Sequence, residues 1–323
     1  MQYRNWQASL ALALSLCALT AQGADLATPL ANVKFPENMT KANGKVYVSH
    51  NDGVSVLSGA GSVWQATQVA VNYRNGSKPE ACNFTGLTTM GSKVFGICSE
   101  KLTSPGATKH LFVLDSTSPA PSFNEITFND PDHLYISNVA LPNGLTNDGN
   151  GNLYLADHGA PLLPGKVVKL TLAANGGSIL GQKTVHSFVA CKANGVKYSN
   201  GKLFVSLNPF SYVGLSQLYR YDVSGDSLAN GKPVYSSWNF LDDFALVNDG
   251  FLIADYLGGR VLHVKEDGTV DGAALTDPTL PSSVTLSDDG KLLVTLRQST
   301  LLANGYTGSV HVYDSLWGNL TLR

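Results

Sequence analysis

The stretch Asn43-Gly-Lys-Val-Tyr-Val48 decides the fold of this chain, because its strand-forming part recurs five more times. The Asn-Gly pair favours a tight hairpin turn, and the four residues after it have high β-propensity. The other copies start 41 to 59 residues after the one before, and they occupy residues 93–96, 152–155, 202–205, 250–253 and 291–294. Each copy is predicted to be the second strand of a β-hairpin, so the chain is predicted to be a repeat array.

Six units of roughly 50 residues, with short strands and turn-rich connections, are typical of an all-β, six-bladed β-propeller with four-stranded blades. The predicted blades begin near Phe35, Cys82, Val139, Val189, Phe240 and Pro281. Residues 25–33 are predicted to supply the strand that closes the ring. A solenoid and a pair of β-sandwiches are the competing architectures. The irregular repeat length disfavours the first and the absence of a linker disfavours the second, so residues 24–323 are predicted to form one domain.

The N-terminal residues have the pattern of a secretory signal peptide. Residues 8–20 are an apolar run behind Arg4 that is too short to span a bilayer, and Ala21-Gln-Gly23 is a small-residue cleavage pattern. We therefore predict that residues 1–23 are removed on export to a periplasm or the extracellular space. The formal net charge is −2 and no basic run is present, so neither nucleic acid nor a membrane anchor is expected. The exported protein is expected to be a monomer.

Three cysteines remain after removal of the signal peptide, and an export route permits disulfides. Cys82 and Cys98 lie on opposite strands of the second hairpin, but their register is expected to be about three residues off. A Cys82–Cys98 disulfide is therefore the less favoured alternative, and three buried thiols, with Cys191 as the third, are the favoured one.

A second pattern is a ring of side-chain oxygens. Aligning the repeats on the hydrophobic residue of each inner strand puts six oxygen-bearing residues two positions earlier: Glu37, Thr85, Asn143, Asn194, Asp242 and Ser282. The start of each innermost strand of a propeller faces the central channel, so these oxygens should converge. Two carboxylates and two amides form an oxygen-only set that suits one central Ca²⁺, and other divalent metals are compatible with it. The alternative is that these polar residues only cap hairpins.

The metal interpretation is favoured over hairpin capping for two reasons. Glu37 is not a turn-forming residue. Carboxylates held this close together repel each other unless a cation or protons neutralise them. The ring contains no thiolate or imidazole, which argues against zinc or copper.

Antiparallel pairing predicts further residues near this ring. It puts Asp157 near Asn143 and Asp255 near Asp242, where the two aspartates could orient the ligands. The alternative for both is hydrogen bonding to loop amides.

Histidines and hydroxyls complete the set of candidates around the metal. His50, predicted to lie near Glu37, and His158 are the histidines best placed for proton transfer. A structural role at a strand end is the alternative for both. Thr85 and Ser282 could contribute through a water molecule.

The chain resembles the calcium-dependent six-bladed propellers that include gluconolactonases, senescence marker proteins, diisopropylfluorophosphatases and paraoxonases. The resemblance covers the whole mature chain. It depends on four short motifs in register: Phe35-Pro-Glu-Asn38, Leu141-Pro-Asn-Gly-Leu145, Ala193-Asn-Gly-Val196 and Leu241-Asp-Asp-Phe244. The resemblance implies that one catalytic calcium is held by Glu37, Asn143, Asn194 and Asp242.

Two positions depart from the pattern of this group. Paraoxonases have a histidine where this chain has Thr85, and senescence marker proteins have an arginine where this chain has Leu141. These departures put a paraoxonase-type histidine mechanism and a sugar-acid substrate in doubt.

Hydrolysis of a cyclic or activated ester is the chemistry that fits these residues. Calcium would polarise the carbonyl group, and Asp242 would remove a proton from the attacking water, so Asp242 and Glu37 are the predicted catalytic residues. The chain contains no Gly-x-Ser-x-Gly motif for a serine nucleophile. Apolar loops at residues 160–164, 209–215 and 301–306 could form the wall of a pocket over the ion, which predicts a partly apolar lactone or ester as substrate. Packing of these loops against themselves is the alternative.

Two alternatives to a lactonase remain open at this point. A phosphotriester-type hydrolase would use the same oxygen cage. A binding propeller would keep the calcium as a structural ion and hold a protein or a small ligand without turnover.

Overall fold

The computed structural model describes residue 30 and residues 33–323, apart from 52, 61–62, 75, 77–81, 103, 131, 162, 211–213, 275–279, 300–305, 315–316 and 318. The predicted signal peptide and most of the predicted closing strand lie outside these residues. Within the described part of the chain, no helix is long and apolar enough to cross a membrane.

The described residues form 24 β-strands in six sheets. The first sheet contains β1 (Met39–Ala42), β2 (Lys45–His50), β3 (Gly53–Ala60) and β4 (Val63–Gln68). The second contains β6 (Asn83–Met90), β7 (Lys93–Ser99), β8 (Lys109–Asp115) and β9 (Ser122–Ile126), with β5 (Ala70–Asn72) added parallel to β9. The third contains β10 (Pro142–Asn147), β11 (Asn152–Asp157), β12 (Lys166–Leu172) and β13 (Ile179–Ser187).

The remaining three sheets repeat the same antiparallel order. The fourth contains β14 (Cys191–Ser199), β15 (Lys202–Pro209), β16 (Ser216–Ser224) and β17 (Ser227–Ser237). The fifth contains β18 (Leu241–Val247), β19 (Gly250–Asp255), β20 (Arg260–Lys265) and β21 (Val270–Ala274). The sixth contains β22 (Leu280–Leu286), β23 (Leu292–Ser299) and β24 (Tyr306–Tyr313). The prediction of a six-bladed propeller is confirmed.

The repeated segment forms the second strand of every blade, as the sequence predicted. The turn before β2 uses two consecutive left-handed residues, Asn43 at φ 48° and Gly44 at φ 70°. Asn200 and Gly201 form the same turn before β15, at φ 51° and 76°. This backbone matches the twist of the two flanking strands, which is why Asn-Gly pairs recur at these positions.

The two chain ends contact different blades. Leu30 N donates to Val310 O at 2.9 Å, so the N-terminal segment extends the three-stranded sixth sheet at this position, where a closing strand was predicted. Leu322 pairs with Val247 of β18, so the last residues lie against the inner strand of the fifth blade.

Hydrophobic side chains fill the space between adjacent blades. Six clusters of buried residues lie one at each blade-to-blade interface of the described structure. Tyr47 and Phe84, for example, belong to the cluster between the first two blades. Fully burying a large apolar side chain stabilises a fold by about 1.5–3 kcal/mol, so these interfaces fix the blades around the channel.

Cys82 and Cys98 form a disulfide with their Cα atoms 5.5 Å apart, so the expectation of three thiols was wrong. A β-bulge between Phe84 and Leu87 removes one residue of the expected offset. Continuing the pairing of Phe84 with Cys98 by two residues puts Cys82 opposite residue 100. Cys98 is then a diagonal neighbour on the same face of the sheet, within reach of a disulfide. Cys191 is free.

Candidate functional site

A β-bulge lies at the predicted ring position in five of the six inner strands. The register shifts between Phe84 and Leu87, Pro142 and Leu145, Ala193 and Val196, Leu241 and Phe244, and Pro281 and Ser283. A bulge leaves residues without ladder partners and redirects their side chains. In blades two to five the ring residue and its successor both lack a ladder partner, whereas in blade six only Ser282 does.

The ring residues line a cavity of about 440 Å³ at one end of the channel. Five of the six predicted oxygens are among its described lining residues, namely Glu37, Thr85, Asn143, Asn194 and Asp242. Ser282 is not, because its hydroxyl donates to Pro36 O at 2.9 Å and lies 2.9 Å from Thr295 Oγ1.

The wall above the ring comes from two repeated positions. The residue two before the ring position contributes Phe35, Asn83, Leu141 and Phe240. The seventh residue of the hairpin repeat, counted from Lys45 in the first copy, contributes Asn51, His158, Tyr256 and Arg297. The apolar loops at 160–164, 209–215 and 301–306 lie partly outside the described residues, and their described residues do not line the cavity. The part of the wall that the structure describes therefore comes from the two repeated positions.

The bulge explains why the seventh residue of the repeat, and not the sixth, faces the cavity. Regular pairing put Asp157 opposite Asn143 and Asp255 opposite Asp242. The structure pairs Asp157 with Pro142 and Asp255 with Leu241. A shift of one residue turns a side chain to the other face of the sheet, so the sixth residue leaves the cavity and the seventh enters it.

Asp157 and Asp255 bind the loops beside the site. Asp157 accepts hydrogen bonds from the backbone N–H groups of Ala140, Leu141 and Gly159 at 2.8–3.1 Å. This is the alternative role that the sequence left open for it.

Asp255 and His50 are not among the described lining residues of the cavity. Asp255 accepts from Asn239 Nδ2 at 3.0 Å, Gly258 N at 3.2 Å and Arg260 Nε at 2.8 Å. His50 Nε2 lies 3.0 Å from Ser55 Oγ.

Three buried oxygens of the ring have no hydrogen-bond partner among the described residues, Glu37 Oε2, Thr85 Oγ1 and Asn194 Oδ1. Glu37 Oε2 forms an ion pair with Arg297, whereas the other two have no partner of either kind among the described residues. Buried polar atoms are almost always paired in folded proteins, so unpaired ones at a cavity indicate a site for an ion, a water molecule or a ligand. Among the described residues, no group of three His, Cys, Asp or Glu side chains could hold a metal. A cation at this site would therefore depend on amide oxygens in addition to Glu37 and Asp242, and these hard oxygen donors fit Ca²⁺.

Burial controls protonation in this cavity. It raises the pKa of Asp242 well above its ordinary value, and the charge of Asp243 acts in the same direction. A cation beside Asp242 would oppose both effects. Burial lowers the pKa of His158 to about 4, helped by the charge of Lys192, so this imidazole is neutral near pH 7. Burial, followed by the charge of Asp242, raises the pKa of Tyr256.

Arg297 is the charged residue among the described lining residues that sequence reasoning missed. Its guanidinium forms an ion pair with Glu37 Oε2, and its side chain is only 16% exposed. Nε donates to Pro36 O at 3.4 Å, and Cζ lies 4.1 Å from the centre of the Phe35 ring. Burial lowers the pKa of Arg297 to about 9. Aligning the seventh residue of each hairpin repeat would have found Arg297.

A second ring lies directly after the first in sequence: Asn38, Gly86, Gly144, Gly195, Asp243 and Ser283. A Cβ on any of the three glycines would come within 2.3–2.7 Å of atoms in the next blade. In the other three blades, Asp243 Oδ2 accepts from Asn38 Nδ2 at 2.6 Å and from Ser283 Oγ at 2.9 Å. Lys197 Nζ lies 2.9 Å from Asp243 Oδ1. This second ring joins the blades below the candidate metal ligands.

Hydroxyls on second strands also position the ring. Ser49 Oγ donates to Thr85 O at 2.5 Å, and Ser206 Oγ donates to Asp242 O at 2.7 Å. In both cases a side chain of one blade holds the ring backbone of the next.

The fold and the site define a class: a six-bladed β-propeller with an oxygen-lined cavity at the end of its channel. No protein-family model matches the chain, and no curated protein matches it. Solved structures do match it. A luciferin-regenerating enzyme is 16% identical, with 88% of this chain and 92% of that chain covered and a TM-score of 0.58.

Two further solved structures agree with this match. A calcium-binding regucalcin from Agrobacterium tumefaciens is 13% identical, covers 89% of this chain and 92% of its own, and has a TM-score of 0.55. A soluble aldose sugar dehydrogenase from Escherichia coli is 14% identical, with 90% of this chain and 99% of that chain covered and a TM-score of 0.60. At these identities the likeness shows the fold alone. The chain has the propeller fold that the resemblance predicted.

Proposed function

We propose that this protein is a calcium-dependent hydrolase of lactones or related esters. The observation that carries the proposal is the convergence of Glu37, Asn143, Asn194 and Asp242 on one partly apolar cavity. The unpaired oxygens of Thr85 and Asn194 in the same cavity support a bound cation. The substrate would be a small, partly apolar molecule, and the protein would act as an exported monomer.

Four side chains would hold the cation, namely Glu37, Asn143, Asn194 and Asp242. When bound, it would polarise the substrate carbonyl and stabilise the developing oxyanion. Asp242 would take the proton of the attacking water at its carboxylate and return it to the leaving alkoxide oxygen as the acyl C–O bond breaks. Leu141 and Phe240 would hold the apolar part of the substrate and exclude bulk water from the reacting group.

The test is hydrolysis of a panel of lactones and aryl esters by the purified mature protein, first with calcium and then with a chelator. Turnover that the chelator abolishes supports the proposal. Asp242→Asn should lower kcat by at least about a hundredfold, because it removes the proton acceptor. Asp267→Asn, an exposed turn carboxylate outside the cavity in the same blade, is the matched control and should retain activity.

The same experiment separates the alternatives. A panel that includes aryl phosphotriesters identifies a phosphotriester-type hydrolase on the same residues. Tight calcium binding without turnover of any compound, with ligand binding unchanged in Asp242→Asn, would refute the hydrolase in favour of a binding propeller.

A further inference from the structure

Arg297 is the one Lys or Arg side chain among the described lining residues of the cavity. Three contacts hold it: the ion pair with Glu37, the hydrogen bond to Pro36 O and the stacking on Phe35. All three partners belong to the short segment before β1. Phe35 has a left-handed backbone at φ 54°, which is uncommon for a bulky residue and often marks a functional site.

The ion pair uses a carboxylate that is also a candidate metal ligand. A divalent cation at Glu37 would repel a guanidinium on the same carboxylate, so the two compete for it. The contacts with Pro36 and Phe35 do not involve Glu37. The side chain of Arg297 can therefore remain anchored while its terminal N–H groups are released to another acceptor in the cavity.

The charges of the cavity favour an anion once a cation is present. Glu37 and Asp242 are its acidic lining residues within the described structure, and Arg297 is its strong base. A divalent cation would balance the two carboxylates and leave the charge of Arg297 in excess. A buried charge without a partner is costly, so a ligand that brings one negative charge would be favoured.

We propose that a divalent cation replaces the guanidinium of Arg297 at Glu37, and that Arg297 then binds the carboxylate of an anionic ligand. This inference rests on the function proposed above. A guanidinium presents its N–H donors in a planar fork that matches a carboxylate. Phe35, Leu141 and Phe240 give the remainder of the ligand an apolar surface. The substrate class is therefore an ester or lactone that carries a free carboxylate on an apolar frame.

Inert probes test this without turnover. Benzoate and its neutral analogue benzamide are titrated by calorimetry into the wild-type protein, with calcium and with a chelator. With calcium, benzoate should bind at least about tenfold more tightly than benzamide. With the chelator this preference should largely disappear, because Glu37 then holds Arg297. Two results with the wild-type protein would overturn the proposal: a preference for benzoate over benzamide that is the same with calcium and with the chelator, or no such preference with calcium. Both are measured on wild type, so this test does not require any variant to fold.

Variants identify the residue. Arg297→Met should lose the benzoate preference and bind calcium about tenfold more tightly than wild type, because Glu37 is no longer shared. Arg297→Lys, which keeps the charge but not the fork, should retain part of the preference. Arg220→Met, on the fourth blade outside the cavity, should behave as wild type. Circular dichroism confirms that each variant is folded.

The outcomes separate this inference from the proposed function. Calcium-dependent ester hydrolysis with an unchanged benzoate preference in Arg297→Met overturns the role of Arg297 alone. Calcium binding that is undetectable in all proteins overturns both proposals together.

Discussion

A methyl group added at Gly195 tests how tightly the second ring positions the candidate ligands. The Cβ of Gly195→Ala would lie 2.7 Å from Asp243 Oδ1, 2.9 Å from Asp243 Cα and 3.1 Å from Asp242 O. Two of these atoms are backbone, so a side-chain rotation cannot relieve the contact. Asp243 is also held by Asn38 of the first blade and Ser283 of the sixth, so the ring segment must move as a unit.

The size of the effect follows from this geometry. Forcing an extra methyl group into a packed interior costs about 1–3 kcal/mol. We expect the free energy of unfolding to fall by about that amount. We also expect calcium to bind about tenfold more weakly, because a shift of the ring segment displaces both Asn194 and Asp242.

Gly181→Ala is the matched control. A Cβ at Gly181 in β13 meets no atom within 4 Å, so its unfolding free energy should stay within about 0.5 kcal/mol of wild type. Urea unfolding and calcium titration are measured on wild type and both variants. Equal unfolding midpoints and equal calcium affinities for the two variants would refute the claim that the glycine ring sets the ligand geometry.

Three other predictions concern stability and are checked by urea unfolding. Replacing Cys82 and Cys98 by serine should lower the free energy of unfolding by about 3 kcal/mol, because the disulfide closes a loop with a sequence separation of 16. A reducing agent should have no further effect on that variant. Lys197→Met should lower the free energy of unfolding by about 3 kcal/mol, because buried Asp243 loses its ion pair. The double variant Lys197→Met, Asp243→Asn should recover part of this loss. The pKa of His158 is below its unfolded value of 6.5, so protonation destabilises the folded state as the pH falls from 6.5 towards 4. Wild type should therefore lose about 1–2 kcal/mol relative to His158→Gln between pH 6.5 and 5, and equal losses would contradict the buried neutral imidazole.

The sequence predicts the parts of this molecule that local chemistry determines. A β-rich run that recurs six times, preceded in three copies by an Asn-Gly pair, identified the second strand of all six blades. Alignment of the repeats identified five residues that line the cavity. Local chemistry does not determine where one residue is inserted into a ladder. The bulges depend on packing across blades, so regular pairing put Asp157 and Asp255 beside the ring, whereas the structure brings the next residue of each strand to the cavity. Of these two residues, His158 was already a candidate from the sequence and Tyr256 was not.

The order of the blades explains why an arginine belongs in this site. The second ring divides the propeller into an arc of glycines in blades two to four and a hydrogen-bonded arc in blades five, six and one. The two amides of the first ring belong to the glycine arc, whereas Asp242 and Glu37 belong to blades five and one. Blade six lies between these carboxylates, and its own ring residue, Ser282, donates its hydroxyl to Pro36 O. Arg297 is the charged residue that blade six adds to the cavity, so the positive charge enters the site between the two acids that need neutralisation.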